Sequence, residues 1–134
     1  MTTIFTKILN GELPGRFVHR DETCAAFLTI APITKGHTLV VPVVELDHWT
    51  DLDDDVAAHL MVVAKRVGRA QKRAFGADRV ALIIAGLEVP HTHLHVLPIQ
   101  SERDMDFAKA KGDVPAEELD AVAAALRAEV ERGD

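Results

Sequence analysis

Three imidazoles stand at every second residue of PHTHLHVLP, residues 90–98: His91, His93 and His95. Successive side chains of a strand point to opposite faces. An extended run therefore places all three on one face, about 6–7 Å apart along the chain. Thr92, Leu94 and Val96 then share the other face, and Leu94 and Val96 suit a core. His37 opens a second strand-like run, HTLVV (37–41), on the face opposite Thr38 and Val40. If the two strands pair, it joins the row as a fourth imidazole. Three readings of such a row are open. The histidines can be solvated or half-buried surface residues. They can hold a metal, because His-x-His on a strand chelates zinc-class ions, although no carboxylate or cysteine accompanies the row at ligand spacing. They can be catalytic, since imidazole is nucleophilic and exchanges a proton near neutral pH.

The flanking sequence supplies a frame for the row. Ile4, Phe5, Ile8 and Leu9 lie at helical spacing and Asn10-Gly11 ends the pattern, predicting a short helix over residues 3–10. RFVHR and AAFLTI flank Asp21-Glu22-Thr23 as two strands around a turn. A loop over 32–36 leads into the strand 37–41, which Pro42 stops. Thr50-Asp51-Leu52-Asp53 has the form of a capping box. It would open a long helix with Val56, Leu60, Val63, Ala64, Val67 and Ala70 on one face and Gly76 as its stop. VALIIA (80–85) predicts a buried strand, residues 86–90 a loop, and 91–97 the next strand. Pro115 starts a last helix with Leu119, Val122, Ala123, Leu126 and Val130 as its apolar stripe. Five strands joined partly by hairpins, with no β-α-β alternation, imply an α+β fold built on an antiparallel sheet.

Composition narrows the function further. With 15 basic and 21 acidic residues the net charge is −6, so a broad nucleic-acid surface is not expected. The densest basic stretch, RVGRAQKR (66–73), reads as the solvated side of the long helix. No apolar run approaches the ~20 residues of a membrane helix, and the first fifteen residues lack the basic start and apolar middle of a signal peptide. Cys24 is the only cysteine, which excludes an internal disulfide and a thiolate cluster. These features together point to a cytoplasmic protein with no membrane partner and no cofactor. His19, His48 and His59 read as strand, loop and helix surface residues.

HTHLHVL fits His-φ-His-φ-His-φ-φ (φ apolar), and on this motif the chain resembles the histidine triad (HIT) superfamily. GHTLVVP (36–42) is similar to the segment that supplies that family's fourth histidine, IFTKILNGELP (4–14) to its N-terminal stretch, and AAFLTIAPITKGH to its nucleotide-pocket strand. The match runs in order over residues 3–108. It implies a HIT domain at 1–108, with 109–134 as a C-terminal helical extension of the same domain.

The resemblance implies a nucleotide hydrolase or transferase acting at the α-phosphate, commonly a homodimer. His93 would be the nucleophile, forming a nucleotidyl-histidine. His95 would donate to phosphate oxygens or the leaving group, and His91 and His37 would tune and orient the network. Phe5, Ile8, Leu13, Phe27 and Ile30 match the positions that sandwich the base. The loop before the motif, with Leu87 and Glu88, matches one whose backbone N–H groups bind phosphate. Two positions and one stretch near the motif depart from the family pattern. Thr29 stands where a carboxylate or asparagine usually binds the ribose, Leu87 replaces a glutamine, and the polar stretch upstream is missing. Glu45 and Thr6 replace a histidine and a zinc-binding cysteine of some relatives, so no structural zinc is expected. The Hint-like branch, releasing a nucleoside monophosphate such as AMP from a phosphoramidate, fits first. Dinucleoside polyphosphate hydrolysis and a nucleotide-binding module with little turnover are the alternatives.

Overall fold

Apolar side chains alternate along the strands, so both faces of one sheet carry core residues. The computed structural model describes residues 2–133. Helix α1 (Ile4–Leu9) comes first, capped by Thr3, whose hydroxyl accepts the Thr6 N–H at 3.2 Å. Strands β1 (Phe17–Arg20) and β2 (Cys24–Leu28) form the hairpin, and β3 (Thr38–Pro42) follows. Helix α2 (Asp54–Phe75) precedes β4 (Arg79–Ile83) and β5 (Leu94–Ile99), and helix α3 (Ala116–Arg132) comes last. All pairings are antiparallel, in the order β1-β2-β3-β5-β4. This is the α+β class with a five-stranded antiparallel sheet that the sequence implies.

One face of the sheet packs under α2 and α3. Cys24, Ala26, Leu28, Val40, Leu94 and Val96 meet Leu60, Val63, Val67, Leu119, Val122 and Leu126 there, all buried. Fully burying a side chain of this size contributes roughly 1.5–3 kcal/mol, so this layer dominates the stability of the fold. The opposite face carries a smaller cluster, in which Phe5 and Leu9 of α1 cover Ala25, Phe27, Leu39 and Val41. Helix α3 therefore lies on the side of the sheet away from α1. No helix among the described residues is long and apolar enough to cross a membrane.

Three local expectations change. The strand expected at 91–97 spans Leu94–Ile99 instead. Thr92 sends its N–H and its hydroxyl to the Leu46 carbonyl at 2.7 and 2.9 Å, and the His91 N–H turns back to Val89 at 2.8 Å. His91 and His93 thus precede the ladder, held by a loop rather than by β3. The long helix begins at Asp54, after a separate 3-10 turn at Trp49–Asp51, and its N-cap Asp53 makes no side-chain capping bond. The capping box does not form because Thr50 is taken up in that turn. Finally, β4 is not a buried strand. It lies at the sheet edge, with Leu82 40% exposed.

Candidate active site

Pairing of β3 with β5 sets Leu39 opposite His95 and Thr38 opposite Val96. His37, one step ahead of β3, therefore falls on the His95 face, and the expected fourth imidazole joins the row. Gly36 makes this possible. Its φ is +94°, and a Cβ there would stand 2.6 Å from Cε2 of Phe75. Only glycine lets the chain turn this close to α2. The Gly36 carbonyl accepts from the Thr38 hydroxyl and from the buried Gln71 amide, both at 2.8 Å. The same amide nitrogen of Gln71 reaches the Val96 carbonyl at 2.9 Å. One side chain of α2 thus ties together the strands that carry His37 and His95.

Ring partners assign the tautomers, because a backbone N–H only donates and a carbonyl only accepts. Ile33 N–H donates to His37 Nδ1 at 3.1 Å, which leaves the His37 proton on Nε2. That proton is donated to His95 Nδ1 at 3.0 Å. Neutral His95 then carries its own proton on Nε2. Both rings are neutral at ordinary pH. Burial lowers His37 to about 4, and burial with the nearby His37 and His93 lowers His95 to about 3.

His93 is arranged the other way round. Its Nδ1–H donates to the His91 carbonyl at 2.8 Å, so in the neutral ring Nε2 holds the lone pair. The His93 and His95 rings meet edge to face with centroids 4.9 Å apart. Two neighbouring rings thus differ in tautomer, one with a lone pair on Nε2 and the next with an N–H there, a pairing that can combine nucleophilic attack with hydrogen-bond donation. His91 anchors the start of the row. Its Nε2–H donates to the Pro42 carbonyl at 2.8 Å, and its Nδ1 accepts the Thr3 hydroxyl at 2.7 Å. Burial holds His91 below the ordinary imidazole value, while the Pro42 carbonyl and Glu45 pull it the other way.

Phe5 links the row to a cleft. Its ring stands 4.9 Å from His93 and 5.9 Å from Phe27. Phe5, Ile8, Leu13, Phe27, Thr29 and Ile30 all line this cleft, of about 330 Å³, with Leu39 at its floor. Ile30 is 71% and Leu13 37% exposed. Apolar side chains left at the mouth of a cleft are available to a flat apolar ligand rather than used up in packing. Thr29 is partly committed, since its hydroxyl accepts the Ala31 N–H at 3.1 Å.

Leu87 and Glu88 are not brought to the cleft. Gly86, at φ +82°, turns the loop outward, Leu87 is 97% exposed, and only Val89 of that loop packs inward, on the Phe5 cluster. Thr6 and Glu45 are spent on each other. The Thr6 hydroxyl and the Thr3 N–H both donate to Glu45 Oε1 at 2.7 Å, which holds that carboxyl below the usual carboxylate range. With a hydroxyl at Thr6 where a thiolate would be needed, and the Glu45 carboxylate taken up by Thr3 and Thr6, these positions do not fit a zinc ion.

Three further residues escape sequence reasoning. Thr3 is masked by its role as a helix cap. Gln71 stands out only as a polar residue beside the apolar stripe of α2. Phe107, from the short turn Phe107–Lys109, meets His95 edge to face with ring centroids 4.9 Å apart. Its one signal is that it is a lone aromatic in a polar segment.

The family model of the HIT domain matches residues 10–102. The chain belongs to the HIT superfamily. An uncharacterised HIT-like protein of Methanocaldococcus jannaschii is 37% identical over 124 residues, covering 89% of this chain and 94% of its own. Among solved structures, a hypothetical histidine triad nucleotide-binding protein from Sulfolobus tokodaii superposes with a TM-score of 0.84. It is 31% identical, over 96% of this chain and 91% of its own. One HIT relative carries an activity in its name, an adenylylsulfatase of Arabidopsis thaliana, 29% identical over 78% of this chain and 55% of its own length.

Proposed function

We propose that this HIT protein hydrolyses nucleoside phosphoramidates through a covalent intermediate on His93. The observation that carries the reading is the opposite tautomer of two adjacent rings, His93 with its lone pair on Nε2 and His95 with its proton on Nε2. His93 Nε2 attacks the α-phosphorus and the P–N bond to the leaving amine breaks. The His95 Nε2–H donates a hydrogen bond to the departing amine nitrogen, which takes its proton from solvent, so that His95 stays neutral. Water then attacks the same phosphorus and its proton leaves to solvent. The nucleoside monophosphate leaves and His93 Nε2 recovers its lone pair. The base lies between Phe5, Ile8 and Phe27 on one side and Leu13 and Ile30 on the other, and Thr29 faces the ribose. Any phosphate contact from residues 86–90 is made by backbone N–H groups.

The adenylylsulfatase name of one relative bears on the leaving group, because adenylyl sulfate presents the same α-phosphate with sulfate in place of an amine. The assay therefore offers an adenosine phosphoramidate, adenylyl sulfate and a dinucleoside polyphosphate to the wild type and to His93→Ala. Intact mass is read after an early quench. AMP release by the wild type alone, with a transient gain of one AMP in mass, is the expected result. Binding of AMP without turnover of any of the three substrates would replace the hydrolase with a nucleotide-binding module.

A second copy of the chain is the partner that best fits the open edge of β4. Leu82 there and Met61 on α2 are exposed beside Val80, along a groove that also carries charged side chains. A dimer by light scattering that Leu82→Lys converts to monomer is the expected outcome. A monomeric wild type would discard it.

A further inference from the structure

A second cluster of ligand-type side chains lies on the helix side of the sheet, away from the histidine row. It combines His19 of β1, Asp21 of the hairpin turn, Cys24 at the start of β2 and His59 of α2. Their ligating atoms all fall within 4.8 Å of one another. Asp21 Oδ2 is the hub. It meets His19 Nε2 at 2.6 Å and His59 Nε2 at 2.7 Å, and Cys24 Sγ lies 3.9 Å away. Asp21 Oδ1 accepts the N–H groups of Thr23 and Cys24 at 2.8 and 2.9 Å, which fixes the carboxylate. The register of β1 against β2 slips between Phe17 and His19. A bulge of this kind re-aims a side chain, and here it turns His19 to the same side as Val18 and toward α2.

Two imidazoles converging on a single carboxylate oxygen, with a buried thiol beside it, are more than a helix–turn contact requires. One hydrogen bond from His59 would already tie α2 to the turn. Tetrahedral zinc, with bonds of ~2.0–2.3 Å, separates its ligand atoms by ~3.3–3.8 Å. The separations from Asp21 Oδ2 are 2.6, 2.7 and 3.9 Å and every pair lies within 4.8 Å, so side-chain shifts of about 1 Å bring the set into that range. We propose that His19, Asp21, Cys24 and His59 bind one divalent ion of the zinc class, joining α2 to the β1–β2 hairpin. Nitrogen and sulfur donors favour zinc, cobalt or copper over magnesium or calcium. The side chains of His19, Asp21 and His59 are 18%, 29% and 36% exposed, which leaves an entry path, while Cys24 is fully buried. On binding, the thiol proton leaves to solvent and each imidazole proton moves from Nε2 to Nδ1, so that both Nε2 lone pairs face the ion.

The test uses the chelator-stripped, reduced protein titrated with Co²⁺. Cys24 is the only cysteine, so a sulfur-to-cobalt charge-transfer band in the wild type identifies this site without any variant. The expected result is that band, with the strong visible bands of a tetrahedral ion, saturating at one equivalent and bleached by Zn²⁺. His93→Ala keeps the band and His59→Gln loses it. Excess zinc raises the Tm of the wild type by roughly 5–10 °C and that of His59→Gln by none of this. Absence of a thiolate band in the wild type overturns the proposal, as does a band that survives in His59→Gln or vanishes in His93→Ala.

Discussion

His37, just ahead of β3, and His95 of β5 share one proton, donated from His37 Nε2 to His95 Nδ1 at 3.0 Å. The Ile33 N–H at His37 Nδ1 sets the direction of that donation. A backbone amide in the loop before β3 thereby decides which nitrogen of His95 carries a proton. Removing the relay frees His95 to take either tautomer. With His37→Ala, kcat for an adenosine phosphoramidate should fall roughly 10- to 100-fold, within or below the 10²–10⁴ that a general acid supplies, with little change in KM. His37→Gln, which can still offer an N–H, should recover part of the loss. If kcat is unchanged in His37→Ala, the relay plays no part in turnover.

The same burial makes the fold sensitive to acid. Unfolded, these histidines bind protons at about pH 6.5. Folded, His37 does so only at about 4 and His95 at about 3. Between pH 6.5 and 4 the unfolded chain holds more protons, so stability rises with pH and is lost on acidification. For His37, 3% exposed, the loss by pH 4 is about 2–3 kcal/mol, and His95 and His91 act in the same direction. Carboxyls held low in the folded state, such as Glu45 and Asp104, lose their contribution only as pH falls below about 4.5. The slope between pH 6.5 and 5 therefore belongs to histidines. Urea midpoints measured over that range should fall less steeply in His37→Gln, and equal slopes would refute the assignment.

Gly36 is the structural condition for the relay. Gly36→Ala places a β-carbon at φ +94° and 2.6 Å from the Phe75 ring. Backbone strain and the clash together should cost about 2–4 kcal/mol, seen as a lower urea midpoint. Gly76→Ala provides the comparison. Its φ is also positive, +63°, but nothing lies within 4 Å, so only the smaller strain of about 1–2 kcal/mol should appear. Equal losses at the two positions would show that contact with Phe75 is unimportant.

The histidine row was legible because period-two spacing survives wherever the backbone is extended, whether or not it is hydrogen-bonded in a ladder. Its register with His37 was not, because pairing is set by β3 and β5 as a whole. Leu94 and Val96 read as core residues and are buried, while the ladder starts at Leu94 and not at 91, because nothing local in the sequence marks the loop bond from Thr92 to Leu46. The apolar stripe of α3 was clear from Leu119, Val122, Ala123 and Leu126, but not which face of the sheet it covers. VALIIA looked buried because β-branched residues also serve an open edge. His19 and His59 looked like surface residues because their shared partner, Asp21, is two residues from one and 38 from the other.

Phe107 makes the electrostatic account of His95 testable. Burial is the largest cause of that ring's low proton affinity, ahead of the nearby imidazoles, and the Phe107 ring packs against it with centroids 4.9 Å apart. Phe107 is itself 48% exposed, so Phe107→Ala should cost no more than about 1 kcal/mol of stability. Water admitted to His95 reduces the desolvation that disfavours the charged form. Its pKa should therefore climb from about 3 toward the ordinary value, followed by NMR titration of the imidazole carbon-bound protons. His37, whose own burial does not involve the Phe107 ring contact, should stay near 4. A His95 titration unchanged in Phe107→Ala would move the cause of its neutrality from burial to its two imidazole neighbours.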